Sequence, residues 1–251
     1  MIYARLKYTA SVFWDAESIV ANPADLSSLL KDLSPFNLIP ITASERSSTG
    51  LVNRMAFQKS NGETRIVVAG KRLDIFKLPT DPTGSNMGSL DEFASHATKF
   101  FDILLSYFRR KGNRLALIQE GLLNKMDNRE MQSACSRLFN LPAIYANNPP
   151  FEWEWKNVCK LSRTFGTNTE LINTITQLSR SKMILVSPIK ETEVSQTSID
   201  TIMYQFDLNT SVDNAQLRFD APEVKSFLQD ATLWHSELSD SIFKFIGGTE
   251  E

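Results

Sequence analysis

Histidine and cysteine are scarce in this chain: its 251 residues hold two of each, His96, His235, Cys135 and Cys159. The cysteines form no C-x-x-C, which removes a cysteine-based zinc site and a disulfide scaffold. Neither histidine belongs to an H-E-x-x-H or related spacing, so no metal ligand set is legible. Glycine is also sparing, at 10 residues. No phosphate-cradling loop, dinucleotide fingerprint, serine nucleophile elbow or kinase signature occurs, and no cofactor is implied. No apolar run is long enough to span a bilayer. The first residues carry Arg5 and Lys7 within their apolar run, unlike a signal peptide. These absences point to a cytoplasmic protein without a membrane span. Nor does charge of one sign dominate. With 27 Lys+Arg against 29 Asp+Glu, and a net charge of -2, a wholly basic surface is excluded.

What is present is an ordinary globular composition, 42% hydrophobic and 22% charged. A chain of this length can bury a sizeable core as one domain or as two packed halves. The best-patterned stretch is 51–118. Asn61-Gly62 lies between alternating apolar runs, a strong hairpin signal, and Gly70-Lys71 makes a second reversal. Ser89-Leu90-Asp91-Glu92 reads as a capping box. Leu90, Phe93, Ala97, Phe100, Phe101, Leu104, Leu105 and Phe108 then recur at helical spacing. Gly112 is expected to end that helix, and Arg114 to open a strand running to Gln119.

Before this unit, 2–14 alternates as a long strand with its apolar residues at even positions. A short helix follows Asn22-Pro23. Pro35 and Pro40 reduce 36–41 to an edge segment at best, and 44–50 reads as a loop. After it, 121–150 reads as a connector containing one short helix. Phe151, Trp153 and Trp155 alternate as a strand. A helix capped by Asn168 or Thr169 is expected to align Leu171, Ile172, Ile175 and Leu178. Strands at 183–186 and 202–208 follow. A long last helix starts after Asp220, carries Pro222 in its first turn, and stops at Gly247-Gly248. The fold class is therefore α+β: antiparallel strands with amphipathic helices packed on one face. An N-terminal half at 1–120 and a C-terminal half at 151–251 flank the connector, and the two could be similar halves. No residue-level repeat relates them.

Candidate chemistry is thin. His96 lies one position off its helix's stripe and His235 beside Trp234; both read first as packing or surface residues. Glu152 and Glu154, and Asp207, Asp213 and Asp220, read as solvated carboxylates. No catalytic residue is assigned. The most suggestive polar feature is Arg109-Arg110-Lys111 with Arg114, either an anion-binding corner or compensation of a helix dipole. Trp153 and Trp155 either anchor a partner or point into the core. Asn209-Thr210-Ser211 fits a glycosylation sequon, which is a chance match in a cytoplasmic chain.

Three segments carry a resemblance: 65–76; Ser89-Leu90-Asp91-Glu92-Phe93 leading to Leu115-Ala116-Leu117; and 203–208 followed by Ser241-Ile242-Phe243. On these, covering about half of the chain, the sequence resembles a sporadically distributed family of uncharacterised bacterial α+β proteins of similar length. The segment 121–165 has no counterpart there. That family has no established activity, so the resemblance implies no catalytic residue. Its patchy distribution would suit defence-associated gene neighbourhoods.

The leading expectation is a non-enzymatic protein-binding, structural or adaptor subunit of a bacterial defence or toxin–antitoxin-like system. Its partner would be a protein, encoded in the same operon in that case, and assembly into an oligomer stays open. The alternative is nucleic-acid or nucleotide binding through the corner at 109–114. A third reading, an enzyme site assembled from distant segments, would use His96 and His235.

Overall fold

A strand that pairs along both of its edges sits at the middle of the molecule. It is β1 (Ile2–Phe13), paired antiparallel with β5 (Arg72–Lys77) on one side and β6 (Arg114–Leu123) on the other. The structure, a computed structural model, describes residues 2–47, 50–190 and 193–247. The remaining elements are α1 (Pro23–Leu33), β2 (Leu38–Ser47), β3 (Gly50–Lys59), β4 (Thr64–Val68), α2 (Leu90–Phe108) and α3 (Asn128–Leu138). They continue with α4 (Ile144–Asn147), β7 (Glu154–Phe165), β8 (Asn168–Lys190), β9 (Glu193–Thr210) and α5 (Ala221–Phe245). The strands form one antiparallel nine-stranded sheet in the order β2-β3-β4-β5-β1-β6-β9-β8-β7. The α+β arrangement read from the sequence is the one observed. On each side of the β1–β6 seam, an opening strand is paired by the last strand of a meander, and a long helix follows.

The period-two pattern explains which face the helices cover. Tyr8, Ala10 and Val12 of β1 are buried beside Leu115 and Leu117 of β6, and Leu208 continues the row on β9. Helix α2 presents Phe93, Ala97, Phe100, Phe101 and Leu104 to this row. Its capping box is formed: Glu92 N donates to Ser89 Oγ at 3.1 Å, and Ser89 N to Glu92 Oε2 at 3.0 Å. The helix does not run to Gly112. Arg109 takes the left-handed C-cap position at φ 49°. Gly112 instead serves packing, since a Cβ there would lie 2.5 Å from Val12 Cγ1.

Helix α5 spans two cores. Its first half buries Val224, Phe227, Leu228 and Ala231 with α2 and the first meander. Its second half brings Ile242 and Phe243 to a second cluster with Met131, Trp153, Leu178, Tyr204 and Phe206. At 25 residues it is about 37 Å long, enough to cross the seam and join both. Burying Phe227 alone contributes on the order of 2–3 kcal/mol. Trp234, which the apolar spacing places in the stripe, is half-buried. Gly247 follows the helix, whereas Gly248 lies outside the described residues.

The strands correct further sequence expectations. Residues 38–47 form a full ten-residue strand, because β2 is an edge strand and Pro40 needs no partner for its missing donor. The loop expected at 44–50 is taken up by the ends of β2 and β3, with Ser48 and Thr49 outside the described residues. The helix expected after Asn168 is the start of β8, a 23-residue strand. Ile172, Thr174, Thr176 and Leu178 form its core-facing row. Leu171 and Ile175 sit on the other face, and the two faces together mimic helical spacing. The run of β-branched Thr and Ile decides for strand. The strand β6 also continues past Gln119 to Leu123.

His235 is fully buried, and its Nε2 donates to the Leu117 carbonyl at 2.9 Å. Burial outweighs that hydrogen bond and pushes its pKa down to about 4. Between that value and the ordinary one near 6.5 the unfolded chain binds the extra proton, so stability falls as pH falls through this window. Urea denaturation should show a loss of about 3 kcal/mol between pH 7 and pH 4 that His235→Leu removes. An unchanged pH profile in the variant would contradict this.

Candidate binding surfaces

The four cations of the basic corner are divided between two sides of the sheet. Arg109 and Arg110 are exposed at the C-terminal end of α2. Lys111 Nζ lies 3.1 Å from Asp220 Oδ2, with both side chains well exposed, a pair worth little. Arg114 opens β6 opposite Phe13, which places it on the face that carries no helix. Its guanidinium lies 4.5 Å from the Phe13 ring centroid, and Nη2 donates to Asn209 Oδ1 at 2.9 Å.

Arg114 thereby joins a polar lattice across the central strands. Register sets Asp74, Ser11, Ala116, Asn209 and Asn173 side by side on this face. Ser11 Oγ and Arg72 Nε each donate to Asp74 at 2.6 Å. Asn173 Nδ2 donates to Asn209 Oδ1 at 2.9 Å, and Asn209 Nδ2 to Asp207 Oδ1 at 2.8 Å. Burial is the largest influence on both Asp74 and Asp207 and raises both carboxyl pKa values, despite Arg72 and Arg114 nearby. Burial likewise lowers the pKa of Arg114. The lattice holds as many carboxylates as guanidiniums, so its charge is balanced within itself.

Trp153 precedes β7 and is 8% exposed, with Phe139 edge-on at 5.9 Å. Trp155 packs half-buried against the same second core. Both therefore contribute to that core. Exposed apolar residues here are Ile144 and Tyr145 of the connector and Phe151 just after it. Cys135, Phe139, Tyr145, Pro149 and Arg180 line an open cavity of about 500 Å³ beside it. Arg180 fastens this corner: it donates to both carboxylate oxygens of Asp200 and, at 3.3 Å, to the Pro150 carbonyl.

Beyond Arg180 the sheet narrows to two strands. The β7–β8 pairing ends at Glu154↔Ser179, and the β6–β9 pairing at Leu122↔Met203. The β8–β9 pairing continues from Lys182↔Asp200 to Lys190↔Glu193. This arm is about 30 Å long at the rise of an antiparallel strand. Among the described residues no strand pairs with either of its edges. Sequence reasoning missed it by dividing 168–208 into a helix and two short strands. The signal available was the high share of β-branched residues in both segments.

For catalysis the described residues offer little convergence. No group of three or more His, Cys, Asp or Glu among them is placed to hold a metal. His235 is sealed in the core, and burial raises the pKa of the Cys135 thiol. Glu154 accepts from Gln177 at 3.0 Å, Asp213 pairs with Lys160 at 2.7 Å, and Asp220 pairs with Lys111. No described helix is long and apolar enough to cross a membrane. No protein-family model and no curated protein matches the sequence. A solved structure that matches is the di-domain ARO/CYC StfQ from the steffimycin biosynthetic pathway, at 8% identity and a TM-score of 0.17 over 96% of this chain and 95% of that one. Likeness at that level bears on neither fold nor function.

The placement of Arg114 separates it from its neighbours in sequence. Arg114→Ala should cost about 1–3 kcal/mol through the lost ring contact and hydrogen bond. Arg110→Ala should stay within about 0.5 kcal/mol of the parent. Denaturant melts at neutral pH measure both, and equal small effects would contradict the division.

Proposed function

We propose that the protein is a non-enzymatic binding subunit that docks a partner protein of different sequence by strand addition to the β8–β9 arm. The observation that carries this reading is the ribbon from Lys182↔Asp200 to Lys190↔Glu193, which lacks a third strand on either side. A two-stranded ribbon is marginal alone in water. Its edge amides and carbonyls are a template for another extended chain. Met183-Ile184-Leu185-Val186 lies in the arm and has high strand propensity. Lys182 and Pro188 flank that run and oppose indiscriminate stacking. Exposed Tyr145 and Phe151, near the arm's base, supply the aromatic anchors that strengthen protein interfaces.

Charge favours a partner of different sequence over a second copy. Full antiparallel overlap of two β8 arms sets Lys182 opposite Lys190, and overlap of two β9 arms sets Glu193 opposite Asp200. Like charges directly opposite destabilise a pair. We place the protein in the cytoplasm, where its free cysteines, one of them exposed, stay reduced. The first partners to try are products of adjacent genes, as a defence-associated operon would supply.

The test shortens the arm. Replacing 183–199 by Asn-Gly joins Lys182 directly to Asp200 through a favoured hairpin turn. Co-expressed with each adjacent gene product, the parent should form one stable heteromeric complex by light scattering. The shortened protein, which gives up buried Ile199, should still melt cooperatively and should lose that complex. Undiminished binding, a homodimer that the shortening dissolves, or turnover by the parent alone on a hydrolase panel would overturn the proposal.

A further inference from the structure

Two strands of the first meander end their core-facing rows in lysine. On β3 the row runs Met55, Phe57, Lys59, and on β5 it runs Leu73, Ile75, Lys77. Thr64, first in the core-facing row of β4, pairs with Lys77 across the ladder. Two ammonium groups are thus brought to the helix-covered side of the sheet, where an unpaired charge is costly. The Lys77 side chain is 12% exposed, and Glu63 lies 3.6 Å from it and 3.4 Å from Lys59. Burial pulls the Glu63 carboxyl upward, but Asn61, Lys59 and Lys77 together hold it below the usual glutamate value. Lys99 and Glu92 of α2 also face this spot, so three cations stand against two carboxylates and leave one positive charge.

That charge stands at an apolar cavity of about 260 Å³ between α2 and β3–β5. Phe36 and Phe100, edge-to-face at 4.8 Å, line it with Phe93, Ile75 and Ala97, and His96 is at its mouth. A cavity near 150 Å³ already accepts benzene. We infer that this cavity binds a small amphipathic monoanion, an apolar ring or short chain carrying one carboxylate, with the carboxylate on the cavity side of Lys59 and Lys77, whose other contacts are to Glu63, and the apolar body against Phe36, Phe93 and Phe100. The single surplus charge selects a monoanion over a dianion. The aromatic walls select an apolar body over an inorganic ion. This site is separate from the β8–β9 arm and stands without it.

His96 is a built-in reporter. Its pKa is lowered by burial first and then by Lys99 on α2, Lys77 on β5 and Lys59 on β3, against Glu92 on α2 acting the other way. A carboxylate seated against the lysines offsets their field and raises that pKa. With two histidines in the chain, and His235 neutral down to about pH 4, the two imidazole signals are separable by NMR. The probe is benzoate, with benzyl alcohol and inorganic phosphate as controls. Benzoate should give a saturable shift of the His96 signals and a higher His96 pKa, while both controls should bind at least tenfold more weakly. Lys77→Met and the more exposed Lys59→Met should each weaken benzoate at least tenfold. Should Lys77→Met fail to fold, the parent's His96 titration and Lys59→Met decide alone. No saturable shift, unchanged affinity in the folded variants, or phosphate binding as well as benzoate would overturn the inference.

Discussion

Pairing between β1 and β6 is the interaction on which the rest of the structure depends. It converts two separate meanders into one sheet, and the helices α2 and α5, which lie against each other, need that continuous surface beneath them. The seam is irregular near its start, with register shifts between Ile2/Ala4 and Arg5/Lys7. There Gly121 lets the strands come close, since a Cβ on it would lie 2.7 Å from the Ala4 carbonyl and 2.4 Å from Tyr204 Oη. Any side chain at that position would press on the backbone of β1. Helix α5 then locks the seam from above by reaching both cores.

Much of this was legible where one local signal acted alone. The Asn61-Gly62 hairpin, with Gly62 at φ 75°, follows from turn chemistry. The capping box and apolar stripe of α2 followed from spacing. The sequence misled where two signals overlapped. In β8 the apolar residues of both faces summed to a helical period, and in β2 a proline that only an edge strand tolerates concealed the strand. Site legibility failed for a different reason. Arg109, Arg110, Lys111 and Arg114 are neighbours in sequence, yet a change of element between them sends Arg114 to the helix-free face. Lys59 and Lys77 are remote in sequence, and only the ladder brings them to one cavity. The pattern that could have revealed them is an apolar alternation ending in lysine at a core-facing position.

The titratable groups at the centre of the molecule serve architecture. Asp74, Asp207 and Arg114 knit the helix-free face, and His235 fills the core as a neutral imidazole. The two features proposed to bind partners lie at the periphery. The β8–β9 arm offers backbone groups without a third strand, and the α2 cavity offers one uncompensated positive charge beside aromatic walls. The first is suited to a polypeptide and the second to a small molecule. Neither requires the other.

Amide hydrogen exchange on the isolated protein tests the central claim most directly, because it reads each strand's opening separately. Amides of β1 and β6 should exchange slowest and only through global unfolding. Those at 182–190 and 193–200 should exchange orders of magnitude faster, as a ribbon without a third strand must. Protection of the arm equal to that of β1 and β6 would contradict the account, since it would mean that the ribbon's edges are already covered without a partner.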